Sequence, residues 1–224
     1  MRRRVLAAGA VVAGLAAVGV LLPLGMRRLG WFRVRRIEVH GAHVVTARDV
    51  ARVIGLPKGA DLFDRIDGLP AKVLTLPGVL EAEVHRRIPG TLVVEIRESE
   101  LVALAPKDGR LVLVDHRGRV LPYDPTRQPE DLPLGAADPD VAALLLLIKE
   151  SEPALWRRVL SAGRSKNTIV VEVEGRRILF RVGATPEAIR SLATVLNELE
   201  RDQGKVQEVD ARFDGRIIVR RKPT

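Results

Sequence analysis

Between Val5 and Met26 the chain runs for 22 residues, VLAAGAVVAGLAAVGVLLPLGM, without a charged side chain. As a helix rising 1.5 Å per residue this stretch would be about 33 Å long, enough to cross a bilayer. A cleaved leader would carry a shorter apolar core and a small-x-small site just beyond it. The one such triplet, Ala17-Val18-Gly19, lies inside the run, and the chain continues directly into MRRLGWFRVRR. The expectation is an uncleaved signal anchor over 5–26, preceded by a tail of residues 1–4 and followed by a basic linker over 27–33. Arg2, Arg3 and Arg4 flank the span on one side, Arg27, Arg28 and Trp31 on the other. Charge bias alone does not orient it, because large domains translocate largely regardless of charge. The flanking arginines also account for much of the net charge. Taking those five from +9 leaves +4, a balance suited to a membrane surface rather than to nucleic acid.

After the linker the periodicity changes several times. Ile37 and Val39 alternate with Glu38 and His40, as in a half-buried strand. Thr46 stands three residues before Asp49, a capping-box spacing, and Val50, Val53 and Ile54 follow at helical intervals until Gly55 and Pro57. A second helix is expected over 67–76, with Leu69, Val73 and Leu76 on one face. Leu80, Ala82 and Val84 then alternate, RIPGT turns the chain, and Leu92, Val94 and Ile96 alternate back. The order is β-α-α-β-β over 34–98, enough for two helices to cover one face of a three-stranded sheet.

The remainder, 99–222, is expected to be a mixed β-rich domain with two helices. LVLVDHRGRVLPY gives two strands around a turn, and DPTRQPEDLPLGAADPD reads as a surface loop. Val141 to Lys149 is a helix apolar enough to need burial or docking, its leucine run 144–147 expected to serve the core rather than a partner groove. Ile169, Val171 and Val173 turn at Gly175 into Ile178, Phe180 and Val182. Thr185 caps a helix with the stripe Ile189, Leu192, Ala193, Leu196 and Leu199, which Gly204 ends. VDARFDGRIIVRR closes the series as a β-hairpin around Asp214-Gly215. Its second strand carries apolar groups on both faces and is fenced by Arg216, Arg220 and Arg221. If that strand is an edge, it is either blunted by its arginines or left open for a strand from another chain.

No nucleophile elbow, P-loop, zincin or dinucleotide motif occurs in the sequence. With no cysteine there is neither a disulfide nor a thiolate site. His40 and His43 are spaced H-x-x-H across a Gly-Ala turn rather than on one helix face, so two exposed loop residues are expected. Glu81 with Glu83, and Glu172 with Glu174, are expected as alternating carboxylates on solvated strand faces. No cofactor, metal or small-molecule substrate is expected.

VRRIEVHGAHVVTARDVARVIGLPKGADLF followed by LTLPGVLEAEVHRRIPGTLVVEIRE resembles a POTRA domain, the polypeptide-transport-associated module. The order of span, basic linker and single POTRA, followed by LVDHRGRVL, LPLG, GRRILFRVG, LATVLNEL and VDARFDGRIIVR, resembles the FtsQ/DivIB family of bacterial cell-division proteins. The resemblance implies an α+β protein: an N-terminal transmembrane helix, a POTRA domain over 34–98 and a β-domain over 99–222. It implies a non-enzymatic divisome scaffold in the cytoplasmic membrane at the septum, its amino terminus cytoplasmic and both domains outside. It further implies binding to FtsB, paired with FtsL, and through them an indirect link to the septal synthase pair FtsW/FtsI. The family's partner surface maps onto Arg212 and Phe213, then Arg216, Ile217, Ile218, Val219, Arg220 and Arg221. Tyr usually stands where Phe213 does, and the family's proline soon after Glu98 is replaced here by Leu101. The competing resemblance is to a POTRA-bearing polypeptide-transport component, a class that usually shows several POTRA repeats and a barrel.

Overall fold

The computed structural model describes residues 32–62, 64–127, 131–201, 206–213 and 215–221. The apolar run 5–26, its flanking Arg2, Arg3, Arg4, Arg27, Arg28 and Trp31, and Gly204 and Asp214 all lie outside these residues. Among the described residues no helix is long and apolar enough to cross a membrane. The chain divides into two compact units, one ending at Glu98 and the other beginning at Ser99.

In the first unit, β1 (Arg36–His40) pairs in parallel with β3 (Thr91–Glu98), which pairs antiparallel with β2 (Val79–Arg87), in the order β1-β3-β2. Helix α1 (Ala47–Ile54) starts on the expected capping box. The Thr46 hydroxyl accepts the Asp49 N–H at 3.2 Å, and the Asp49 carboxylate accepts the Thr46 N–H at 3.2 Å. Gly55, left-handed at φ 58°, ends it. Helix α2 runs only from Leu69 to Val73, shorter than the expected 67–76. Beyond Leu74 the chain continues in tighter turns, the Thr75 and Leu76 N–H groups donating to the Lys72 and Val73 carbonyls. Val50, Ile54, Val73, Leu92 and Val94 meet in the core, each exposed by 1% or less. Phe32 belongs to this core as well and Arg33 bridges to Asp61, so the last two residues of the stretch expected as a linker are part of the unit.

The second unit is one nine-stranded mixed sheet, ordered β12-β11-β10-β9-β8-β7-β4-β5-β6. Its strands are β4 (Leu101–Lys107), β5 (Arg110–Asp115), β6 (Val120–Leu121), β7 (Leu134–Gly135), β8 (Val159–Ser165), β9 (Thr168–Val173), β10 (Arg176–Arg181), β11 (Val206–Phe213) and β12 (Arg216–Arg221). The segment expected as a plain loop contains β7, whose two residues bridge β4 and β8 through parallel pairs. Gly135 is needed there: a Cβ at this position would lie 2.6 Å from Cβ of Ala103.

Among the described residues three α-helices accompany this sheet, not the expected two. Helix α3 (Pro139–Ser151) begins two residues before the apolar run, because the Asp138 carboxylate caps the N–H groups of Asp140 and Val141. It buries Val141, Leu144, Leu145 and Ile148 against the sheet. The short α4 (Pro153–Trp156) is the additional one and drives Leu155 and Trp156 into the same core. Helix α5 (Pro186–Arg201) carries Ile189, Leu192 and Leu196, all fully buried, and connects β10 to a parallel β11.

Candidate partner-binding edge

The apolar alternation of β11 and β12 and the Gly215 turn at φ 69° produce the expected hairpin. Its position in the sheet could not be read from local sequence. Among the described residues β12 is the outermost of nine strands, paired on one side with β11. The main-chain groups on its other side make a template for strand addition.

The register assigns each residue. Val209 faces Val219, Asp210 faces Ile218, and Phe213 faces Arg216. Ile217 and Val219 pack against the core, while Ile218 on the opposite face is 45% exposed. Phe213, 52% exposed, stands at the hairpin end. Between the pairs at Asp210 and Phe213 the register shifts, a β-bulge that gives β11 one extra residue. A cleft of about 560 Å³ opens beside the hairpin, lined by Ala188, Ser191 and Val195 of α5 and by Ala211, Phe213 and Ile217.

The arginines are not all idle. Arg212 grips Asp210, Nη2 to Oδ2 at 2.6 Å and Nε to Oδ1 at 2.9 Å, and its guanidinium carbon lies 5.9 Å from the Phe213 ring centre. Asp210 is 1% exposed. The Arg212 guanidinium, against the opposing effect of burial, holds its carboxyl below the ordinary aspartate value of 3.8. This buried acid at the heart of the predicted surface was missed. The D-x-R spacing was visible, but alternation alone does not show that the outer face is covered at that point.

Arg220 belongs to a row of alternating charge across four strands. Arg220 faces Glu208, Glu208 faces Arg177, and Arg177 faces Glu172. Arg220 lies 3.0 Å and Arg177 3.5 Å from the Glu208 carboxylate, and Ser161 donates to Glu172 at 3.2 Å. Opposite charges in register stabilise neighbouring strands and fix their alignment. Arg216 is exposed, and Arg221 lies opposite Val206 at the far end of the strand.

Elsewhere the structure separates chemistry from scaffold. Ser99 Oγ lies 3.0 Å from His116 Nδ1 and 3.0 Å from Asp115 Oδ2, a meeting of Ser, His and Asp that the sequence did not reveal. It is not wired as a triad. The Asp115 carboxylate takes five hydrogen bonds, from Ser99, the Arg117 and Arg119 N–H groups and the Arg119 guanidinium, and Ser99 is 4% exposed. Burial opposes ionisation of Asp115, yet these bonds bring its carboxyl below the usual range. The group clamps the turn between β5 and β6. Glu172 and Glu174 do not form the expected pair on one strand face: Glu174 sits in the turn at φ 49°, held by Arg158 at 2.9 Å. Glu81 pairs with Arg97 and Glu83 with His85 on the exposed face of the first sheet. Glu83, His85 and Glu95 bring three ligand atoms within 4.8 Å, all solvated.

A family model described as a POTRA domain of FtsQ type matches residues 32–99, from the first described residue of the first unit to one residue beyond its end. The chain is 30% identical over 136 residues to the cell division protein FtsQ of Caulobacter vibrioides, covering 57% of this chain and 43% of that protein. It is 35% identical over 117 residues to the FtsQ of Corynebacterium glutamicum, covering 49% and 50% respectively. A longer match, 28% identical over 204 residues, joins it to the FtsQ of Mycobacteroides abscessus and covers 85% and 64%. The chain thus spans about half the length of the curated relatives it matches.

Proposed function

Because the chain belongs to the FtsQ/DivIB family of cell-division proteins, we propose that it is a non-enzymatic scaffold of the divisome, anchored in the cytoplasmic membrane by residues 5–26 and exposing both units outside. In this reading its β12 edge receives a strand from FtsB, which is paired with FtsL. The assembly links early division proteins to the late synthase pair FtsW/FtsI. The observation that carries the reading is the place of β12: outermost in a nine-stranded sheet, with Ile218 and Phe213 exposed beside it. An added strand would bond to the free main chain, and these two side chains would supply apolar contact and register. The scaffold acts by position. Confinement of all partners to one membrane raises their effective concentration, so a modest strand-pairing affinity suffices.

Binding of the full chain to an FtsB/FtsL coiled coil, both in the same detergent, tests the proposal. Ile218→Asp and Phe213→Ala should each weaken binding while the circular dichroism and thermal transition stay close to the parent. Unchanged affinity in folded variants would refute the edge as the site. A fluorescent fusion should collect at midcell; uniform envelope distribution would refute the division role.

A further inference from the structure

We infer that the β2–β3 turn of the first unit, with Ile88 at its tip and arginines around it, docks on the anionic headgroups of the membrane entered by residues 5–26. The inference rests on the anchored reading above. Ile88 is 70% exposed, more than any other large apolar side chain among the described residues. A single exposed isoleucine is ordinary on a soluble surface. Its surroundings are what distinguish this one. Arg86 and Arg87 precede it, and Arg33, Arg35 and Arg36 lie alongside at the start of β1, all exposed. The two segments are tied together: the Arg35 N–H donates to the Gly90 carbonyl at 2.8 Å, and Arg36 faces Thr91, which faces Arg87. The acids at this end are Glu38, which pairs with Arg36 and Arg87, and Asp61 and Asp64. The Asp64 main-chain carbonyl accepts from Arg86. The Arg36 and Arg87 side chains remain 73% and 54% exposed despite their shared partner.

The second observation is where the chain enters. Phe32 is buried, its carbonyl accepts the Leu62 N–H at 2.9 Å, and the Val34 N–H donates to the Ala60 carbonyl at 2.8 Å. The unit is therefore fastened from residue 32 onward. Only residues 27–31 separate it from the apolar run, a reach of about 20 Å when fully extended. The turn lies against this entry point through the Arg35–Gly90 hydrogen bond. An anchor at 5–26 would thus hold five arginines and one apolar tip near the headgroups. There, basic side chains are attracted within about a Debye length and an apolar residue can enter the interface. The tether would make even a weak surface attraction effective.

The chain has no cysteine, so Ile88→Cys can carry a single environment-sensitive fluorophore in the full-length protein. Glu81→Cys, about 20 Å away along the same strand, is the control position. Each labelled protein is reconstituted into vesicles of phosphatidylglycerol and phosphatidylethanolamine, or of phosphatidylcholine alone, with a headgroup-attached quencher. The expected result is loss of emission at position 88 in anionic vesicles. That loss should be several-fold weaker in phosphatidylcholine, at high salt, or in the Arg86→Gln/Arg87→Gln background, with little quenching at position 81. Equal quenching at 88 and 81, or at 88 in both lipids, would overturn the inference. Flotation separates the two readings. A chain that co-floats and resists alkaline extraction yet is not quenched at 88 is anchored but not docked. A chain that fails to co-float refutes the anchor and the docking together.

Discussion

Asp210 and Arg212 form a fork-on-fork ion pair between residues two apart on β11, at the point where the register to β12 shifts. A regular strand would point both side chains the same way, about 7 Å apart. Here the Asp210 carboxylate, 1% exposed, also accepts the Arg212 N–H at 3.2 Å, so the main chain and the guanidinium of one residue both close on it. The arginine expected to clasp a partner is therefore already employed in holding the hairpin end.

Asp210→Ala should destabilise the second unit by about 2 kcal/mol, because a partly buried guanidinium loses its partner while solvent reaches some of it. Urea denaturation checks the value. Asp210→Asn should cost less, since an amide keeps part of the hydrogen bonding.

Acid should unfold the second unit through the same group. The Asp210 carboxyl titrates lower in the folded chain than its ordinary 3.8, so its contribution is fully present above about pH 4. It is lost as pH falls through the depressed folded value. Asp115, lowered likewise, adds to the effect in the same direction. Thermal midpoints measured between pH 6 and pH 2 should fall less steeply in Asp210→Asn than in the parent.

Glu98 closes the first unit by accepting the N–H groups of His43, Val44 and Val45 at 3.0, 2.9 and 2.8 Å. Glu98→Ala leaves those donors to water or unpaired and should cost about 1–3 kcal/mol. Hydrogen exchange at Val44 and Val45 should accelerate more than exchange in α1.

Gly41 joins β1 to that loop at φ 74°, and a Cβ there would lie 2.2 Å from the Ile96 carbonyl oxygen. Gly41→Ala combines left-handed strain with a backbone collision that no rotamer relieves. The expected loss is more than about 1 kcal/mol, read as a lower melting temperature of the first unit.

Leu145→Ala in α3 removes a fully buried side chain from the second core and should cost about 2–5 kcal/mol. Exposed Leu111→Ala in β5, at 44% exposure, should change stability by roughly 0.5 kcal/mol or less. Denaturant midpoints of the pair check the assignment of the leucine run to the core.

Short-range chemistry makes much of this protein legible in its sequence. The Thr46–Asp49 box, the Gly55 stop, the alternation through Leu92, Val94 and Ile96, the α5 stripe and the hairpin are dictated by residues within a few positions of one another. Local signals failed where long-range pairing decides. Two residues of β7 are a strand because Leu104 and Ser161 lie on either side of Leu134, and nothing in a proline-rich stretch announces that. Strand β4 and strand β8 were likewise unread, since their short patterns gain meaning only beside their neighbours.

The candidate surface divides in the same way. Turn residues and β-branched alternation are enough to specify the hairpin and its fence of arginines. Whether β12 ends a sheet or lies within one depends on every other strand, because an edge is the absence of a neighbour rather than a property of the strand. The burial of Asp210, the charge row from Arg220 to Glu172 and the gathering of Ile88 with the β1 arginines have the same origin. Each depends on distant segments meeting in one register. Burial and Coulomb attraction act through space, while periodicity records only distance along the chain.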